Sequence, residues 1–170
     1  MKRSRITISA LLAGAAILLT DGVSLANPRS LSGVVQTGGT HTSQPLPNVH
    51  VTLFEATSAA PAAVGDATTN ASGRFTISYR TRSSSSIFFL TADIGGGVQF
   101  VTVLGSSLPE SATVNELTTV AASYSMAQFL RTGVISGDSF ALQIAAAMND
   151  NIVVSATGQS SPVLLTSPNA

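Results

Sequence analysis

Downstream of residue 26, apolar and polar positions fall into short runs of period two, interrupted every few residues by Gly, Pro, Asn or Ser. That punctuation predicts strands and turns. Residues 49–54 are the clearest case: Val49, Val51 and Leu53 point to one side and His50, Thr52 and Phe54 to the other, as in a strand with one buried face. Residues 74–79 repeat the pattern, with Phe75, Ile77 and Tyr79 set against Arg74, Thr76 and Ser78. Further strands are expected over residues 31–36 and 64–69. Asn70-Ala71-Ser72-Gly73 should close residues 64–79 into an antiparallel hairpin, because Gly73 supplies the positive φ of a tight turn. Residues 87–92 are apolar without alternation, which predicts a strand covered on both faces, and Gly95-Gly96-Gly97 turns the chain into a last strand over residues 98–104. Strands this short and this numerous predict a mainly β, immunoglobulin-like antiparallel sandwich of two sheets.

The period changes near residue 112. Thr113-Val114-Asn115-Glu116 has the form of a capping box, with Thr113 as the N-cap and Glu116 reaching back to it. The helix that follows has one apolar stripe through Leu117, Val120, Ala121, Tyr124, Ala127 and Leu130, and Gly133 stands where a left-handed C-cap belongs. Thr118, Ser123, Ser125 and Gln128 fill its other side. A second helix is expected over residues 137–149, with Phe140, Ile144 and Met148 four apart. These two short helices need a surface to lie on, and the sandwich is the nearest one. Ser, Thr, Gly, Gln and Pro dominate the remainder, which reads as a partly ordered tail. The expected organisation is a leader over residues 1–26, a sandwich over 27–107, a helical extension over 108–155 and a partly disordered tail over 156–170.

The leader changes the picture of where the chain goes. Lys2, Arg3 and Arg5 precede an apolar stretch over residues 8–19, and Ser24-Leu25-Ala26 supplies small residues before the cut, so cleavage after Ala26 is expected. About 20 apolar residues are needed to span a bilayer, and this stretch falls short, so no stable membrane anchor is expected after cleavage. The destination is extracytoplasmic, either secreted or held in the periplasm or at the cell surface. The chain has no cysteine, so no disulfide staples the fold and no lipid is attached through a thiol. Beyond residue 26 five arginines stand against seven acidic residues and no lysine. Without clustered cations there is no counterion-release drive toward nucleic acid.

Three stretches carry a resemblance. Ser32-Gly33-Val34, then Pro45-Leu46-Pro47-Asn48-Val49-His50-Val51-Thr52-Leu53-Phe54, then Thr68-Thr69-Asn70-Ala71-Ser72-Gly73-Arg74-Phe75 resemble the carboxypeptidase regulatory-like domain over residues 30–104. The resemblance implies a transthyretin-like, carbohydrate-binding-like sandwich of an exported bacterial protein, serving as an accessory or structural module with no catalytic residues of its own. Asn70 stands where many members carry Asp, which weakens any cation site at that turn. Residues 114–121 look like a helical segment that follows such sandwiches in some exported bacterial proteins, and imply a shortened relative.

The candidate chemistry is sparse. His41 and His50 are the two imidazoles, and neither is followed by the acidic residue of a zinc peptidase motif, so no metal ligand or cofactor is expected. Tyr79-Arg80-Thr81 lacks the glycine of the urate-hydrolysing transthyretin relatives, and Gly95-Gly96-Gly97 lacks the Lys-Ser/Thr of a phosphate loop. Tyr79 and Tyr124 sit on apolar stripes and are expected in the core. Phe54 and Phe100 could face outward opposite the buried side of their strands, where they would mark either a second core against the helices or an exposed docking patch; the first is favoured, because two amphipathic helices need covering. Glu116 reads as a cap, and Arg80 with Arg82 as a solvated loop. The expected function is that of a non-catalytic module binding a protein or a surface polysaccharide, and the alternative is a small secreted hydrolase using His50 or His41 with a loop serine.

Overall fold

Alternation along the chain becomes two sheets in the computed structural model, which describes residues 29–38, 42–80 and 87–166. In chain order come β1 (Arg29–Thr37), β2 (Gln44–Pro45), β3 (His50–Glu55), β4 (Ala62–Thr68), β5 (Arg74–Tyr79), β6 (Phe88–Gly95), β7 (Val98–Gly105) and β8 (Ser111–Val114). One sheet is centred on β1, which pairs with β2, β5 and β8. The other runs in the order β4-β3-β6-β7. Each strand turns its apolar set inward: Leu31, Val35, Phe75, Ile77, Ala112 and Val114 from the first sheet meet Val51, Leu53, Leu90, Ala92 and Phe100 from the second in one cluster. Gly33 marks where the first sheet is tightest. A Cβ there would collide with the Phe75 ring and the Ala112 carbonyl.

The fold is mainly β with antiparallel sheets, as the period-two runs predict, but it departs from that expectation in three places. Residues 64–79 do not form a hairpin ladder, for β4 pairs with β3 and β5 pairs with β1. The turn itself is made: the Asn70 side chain accepts from the Ser72 and Arg74 amides at 2.9 and 3.0 Å, and Gly73 adopts φ +68. The strands on either side of that turn then diverge into different sheets. They cross so closely that a Cβ on Gly65 would lie 2.6 Å from Ile77 Cγ2 and 2.7 Å from the Ser78 carbonyl oxygen. The second departure is β8, a strand the sequence pattern did not reveal, which pairs parallel with β1 in an otherwise antiparallel arrangement. The third is Phe100, which lies in the cluster between the sheets and does not face outward.

The chain continues through α1 (Glu116–Ser125), β9 (Leu130–Arg131), β10 (Val134–Ile135), α2 (Ser139–Asp150), β11 (Val153–Val154), β12 (Gln159–Ser160) and α3 (Pro162–Leu165). There are thus three short helices among the described residues where two were expected. The α1 N-cap is Asn115, not Thr113: its side chain accepts from the Thr118 amide at 2.9 Å while the Thr118 hydroxyl accepts from the Asn115 amide at 3.0 Å. Thr113 belongs to β8, where the backbone must stay extended to pair with β1. Gly133, at φ +81, turns β9 into β10, and α1 ends at Met126. The turn between β11 and β12 is held against β8 and the α1 cap, with the Thr113 amide donating to the Ser155 carbonyl at 2.8 Å and Asn115 Nδ2 to the Gly158 carbonyl at 3.0 Å.

Beneath α1 and α2 lies a second apolar cluster on the far side of the β4-β3-β6-β7 sheet. Phe89, Val101 and Val103 contribute from the sheet, Ile87 from the residue just before β6, and Ala122, Met126, Ile135, Leu142, Ala145 and Ala146 from the helical region. Phe54 packs against this cluster and stacks on Phe89 at 5.2 Å, as its outward position predicts. β6 is therefore covered on both faces, which is why residues 87–92 carry no alternation.

Candidate interaction surface

His50 is exposed on β3, where its nearest hydrogen-bonding neighbour is the Thr52 hydroxyl at 3.4 Å. Its cross-strand partners are Thr68 and Asp93. The Asp93 carboxylate accepts from the Gly95 amide at 3.0 Å, so it is engaged in closing the β6–β7 turn. His41 and Arg82 lie outside the described residues. Tyr79 is buried in the core as expected. Glu116 does not act as the cap: it opens α1, and its carboxylate accepts from the Gly38 amide at 3.3 Å, tying the end of β1 to the helix. Arg80 is exposed at the end of β5. Among the described residues no group of three or more His, Cys, Asp or Glu side chains is placed to hold a metal ion.

A depression of about 370 Å³ opens on the outer face of the β1 sheet. Strand register places Thr76, Ser32 and Ser111 in one row across three strands, with Arg74, Val34 and Thr113 in the next. The Ser32 and Thr76 hydroxyls lie 3.4 Å apart. This face can offer hydrogen bonds and one guanidinium. His50 is not among the side chains lining it.

The helical layer presents different chemistry. The Phe140, Ile144 and Met148 stripe of α2 and the Val120 and Tyr124 positions of α1, expected to be covered, face solvent instead: they are 71 %, 51 %, 48 %, 62 % and 72 % exposed. The buried sides are Thr118, Ala121 and Ala122 on α1 and Leu142, Ala145, Ala146 and Asn149 on α2. The physical reason is size. Bulky side chains already stand on the sheet below, Phe89, Val101 and Val103 among them, so the helices settle onto them largely through small residues, with Leu142 and Met126 the large side chains that join the cluster. Thr118 is buried because its hydroxyl is satisfied, by the cap and by the Thr102 hydroxyl at 2.8 Å.

α1 and α2 both lie on β7 and touch each other, with the Ser125 hydroxyl 3.3 Å from the Asn149 amide oxygen, so their outward sides belong to one layer. At roughly 200 Å² for a large side chain, the exposed portions of the five residues sum to on the order of 600 Å². The largest apolar patch on a typical monomer is about 300–600 Å² and is often functional, and these five residues together reach the upper end of that range. No charged residue occurs between residues 117 and 130 or between 139 and 149. At the far end of α2, burial raises the Asp150 carboxyl above its ordinary pKa. No helix among the described residues is long and apolar enough to cross a membrane.

The periodicity of these five residues was visible in the sequence, and only their direction was missed. A signal for that direction was present, since Ala122 on α1 and Ala145-Ala146 on α2 fall away from the stripes of large side chains.

No family model matches this sequence, and no curated protein matches it. Among solved structures the chain is similar to a 9R-lipoxygenase from Cyanothece PCC8801, at a TM-score of 0.35 and 14 % identity, over 52 % of this chain and 16 % of that one.

Proposed function

We propose that the chain is an exported, non-catalytic accessory module of the cell envelope or extracellular space, an immunoglobulin-like or transthyretin-like sandwich with a helical extension, and that it acts by holding a protein partner. The observation that carries this reading is the uncharged, exposed face of α1 and α2, where Tyr124 and Phe140 are each more than two-thirds exposed. Aromatic and Met side chains on an otherwise uncharged surface are the groups that interfaces concentrate at their centres. The basic, apolar and small-residue order of the leader supports export. The resemblance of residues 30–104 to carboxypeptidase regulatory-like domains supports an accessory role. A hydrolase built on His50 would need a serine hydroxyl within reach of the ring, and the neighbour at 3.4 Å is a threonine in an exposed position.

The test is site-specific photo-crosslinking in the native host. A benzophenone side chain at Phe140 should give one dominant protein adduct, and the same group at Thr76, in the hydroxyl-lined depression, should give none. Adducts at Thr76 alone, or turnover of a small substrate lost in His50→Ala, would replace this reading with a ligand-binding or catalytic one.

A further inference from the structure

We infer that the occupant of the α1–α2 face is a second copy of this chain, docked about a two-fold axis through Ile144; this deepens the association reading above and rests on it. Three observations select a copy over other occupants.

The first is self-complementarity. Phe140, Ile144 and Met148 recur every four residues on one side of α2, with the largest gaps filled by small side chains such as the exposed Ala147. Two such helices laid antiparallel about Ile144 place the Phe140 ring of one copy against the Met148 thioether of the other, twice over. Sulfur at a ring edge is a favourable contact. Val120 and Tyr124 on the adjoining α1 widen the seam. A two-fold contact also closes on itself, leaving no second patch to propagate a filament.

The second is charge. Two identical charged surfaces repel, and this one carries no charge at its centre. Asp138 and Asp150 bracket α2, each six residues from Ile144. At about 100° per residue each lies about 120° around the helix from the stripe, so neither carboxylate enters the seam. A membrane surface is a poorer match, because interfacial helices carry Lys and Arg on their polar sides and Arg131 is the single cation after residue 82.

The third is area. A standard stable interface buries about 800 Å² on each partner. The five large side chains supply on the order of 600 Å² of it, by the same roughly 200 Å² per side chain. Ser123 and Ala147, exposed next to the stripe on the same helices, add to it.

The experiment uses protein expressed with its leader and purified as it accumulates, followed by sedimentation velocity over a wide concentration range. Wild type should dimerise. Ile144→Glu brings two carboxylates together on the axis and should weaken the dimer by at least about a hundredfold, with the fold intact by circular dichroism because the side chain is outward. Phe140→Lys and Met148→Glu should each weaken it, and the two together should restore it, since the antiparallel register sets Lys against Glu at both ends. A wild-type monomer at every concentration, a dimer that survives Ile144→Glu, or a double variant no better than the singles would overturn the inference. A wild-type monomer whose Phe140 position crosslinks to a different protein removes the self-association and keeps the association reading. A wild-type monomer that crosslinks to nothing removes both.

Discussion

Asn115 has two jobs at once, and replacing it separates them. The residue is fully buried. Its side-chain oxygen accepts from the Thr118 amide at 2.9 Å, and its side-chain nitrogen donates to the Gly158 carbonyl at 3.0 Å. Asn115→Ala removes the N-cap, which costs about 1 kcal/mol. It also leaves the buried Gly158 carbonyl without its donor, which costs a further 1–3 kcal/mol or so. The expected loss is therefore roughly 2–4 kcal/mol, or about 4–16 °C in Tm at the 2–4 °C per kcal/mol of a chain of this size. Asn115→Ser keeps a capping oxygen and loses only the bond to Gly158, so it should recover about 1 kcal/mol of that loss. Urea unfolding followed by circular dichroism measures both, and the midpoint should move at constant slope. If Asn115→Ala stays within about 0.5 kcal/mol of wild type, or Asn115→Ser is as damaging as Asn115→Ala, the cap and the β11–β12 turn are not coupled through this residue.

Gly33→Ala should cost at least about 2 kcal/mol, because the new methyl meets the Phe75 ring and the Ala112 backbone. Gly96→Ala, with nothing within 4 Å but φ +65, should cost only about 1–2 kcal/mol from backbone strain, so urea midpoints should rank the two in that order. Ala146→Leu overpacks the cluster beneath α2 and should cost about 1–3 kcal/mol, whereas Ile144→Ala on the outer side should stay within about 1 kcal/mol. Burial raises the Asp150 pKa, so the folded state holds that proton more tightly than the unfolded chain does, and the residue contributes stability at low pH that is lost as pH rises through the folded value. Asp150→Asn should therefore be at least as stable as wild type at pH 7 and should lose that part of the acid-side gain; paired urea titrations at neutral and acid pH check the difference.

The strands were legible because a half-buried strand writes its two faces directly into the sequence. The expected residues 74–79 coincide with β5, and the inward and outward sets of residues 49–54 fall as their alternation requires. What alternation does not encode is which strand pairs with which. Asn70 and Gly73 make the same tight turn whether the flanking strands pair or diverge, and here the close packing of Gly65 on Ile77 decides for divergence. β8 escaped notice because four residues cannot establish a period, and its partner lies far away in sequence at residues 32–35. The helices were legible in place and reversed in direction. Reading a helix by its largest apolar side chains presumes that these seek the core, but Phe89 and Val103 fill much of the space, and apart from Leu142 and Met126 the apolar residues on the inner side are alanines. At the cap, Thr113 and Asn115 both have the right chemistry, and only the pairing of β8 with β1 excludes Thr113.

Two pressures on an exposed helix position are burial and helix propensity, and neither accounts for the outer side of α1 and α2. Burial is absent at Tyr124 and Phe140. Propensity favours Ala, Glu, Lys or Gln over Val, Ile, Tyr or Phe by a few tenths of a kcal/mol at each position. The sheet beneath is already covered by Leu142, Ala145, Ala146 and Ala122, so replacing Val120, Tyr124, Phe140 and Ile144 with Gln or Glu removes no core contact. It follows that the isolated chain should unfold at the same urea midpoint or a slightly higher one after such replacement, and that any association should vanish. Stability is thus carried by the inner sides of these two helices, through Ala122, Leu142, Ala145 and Ala146, and the large outer side chains are left for the proposed association.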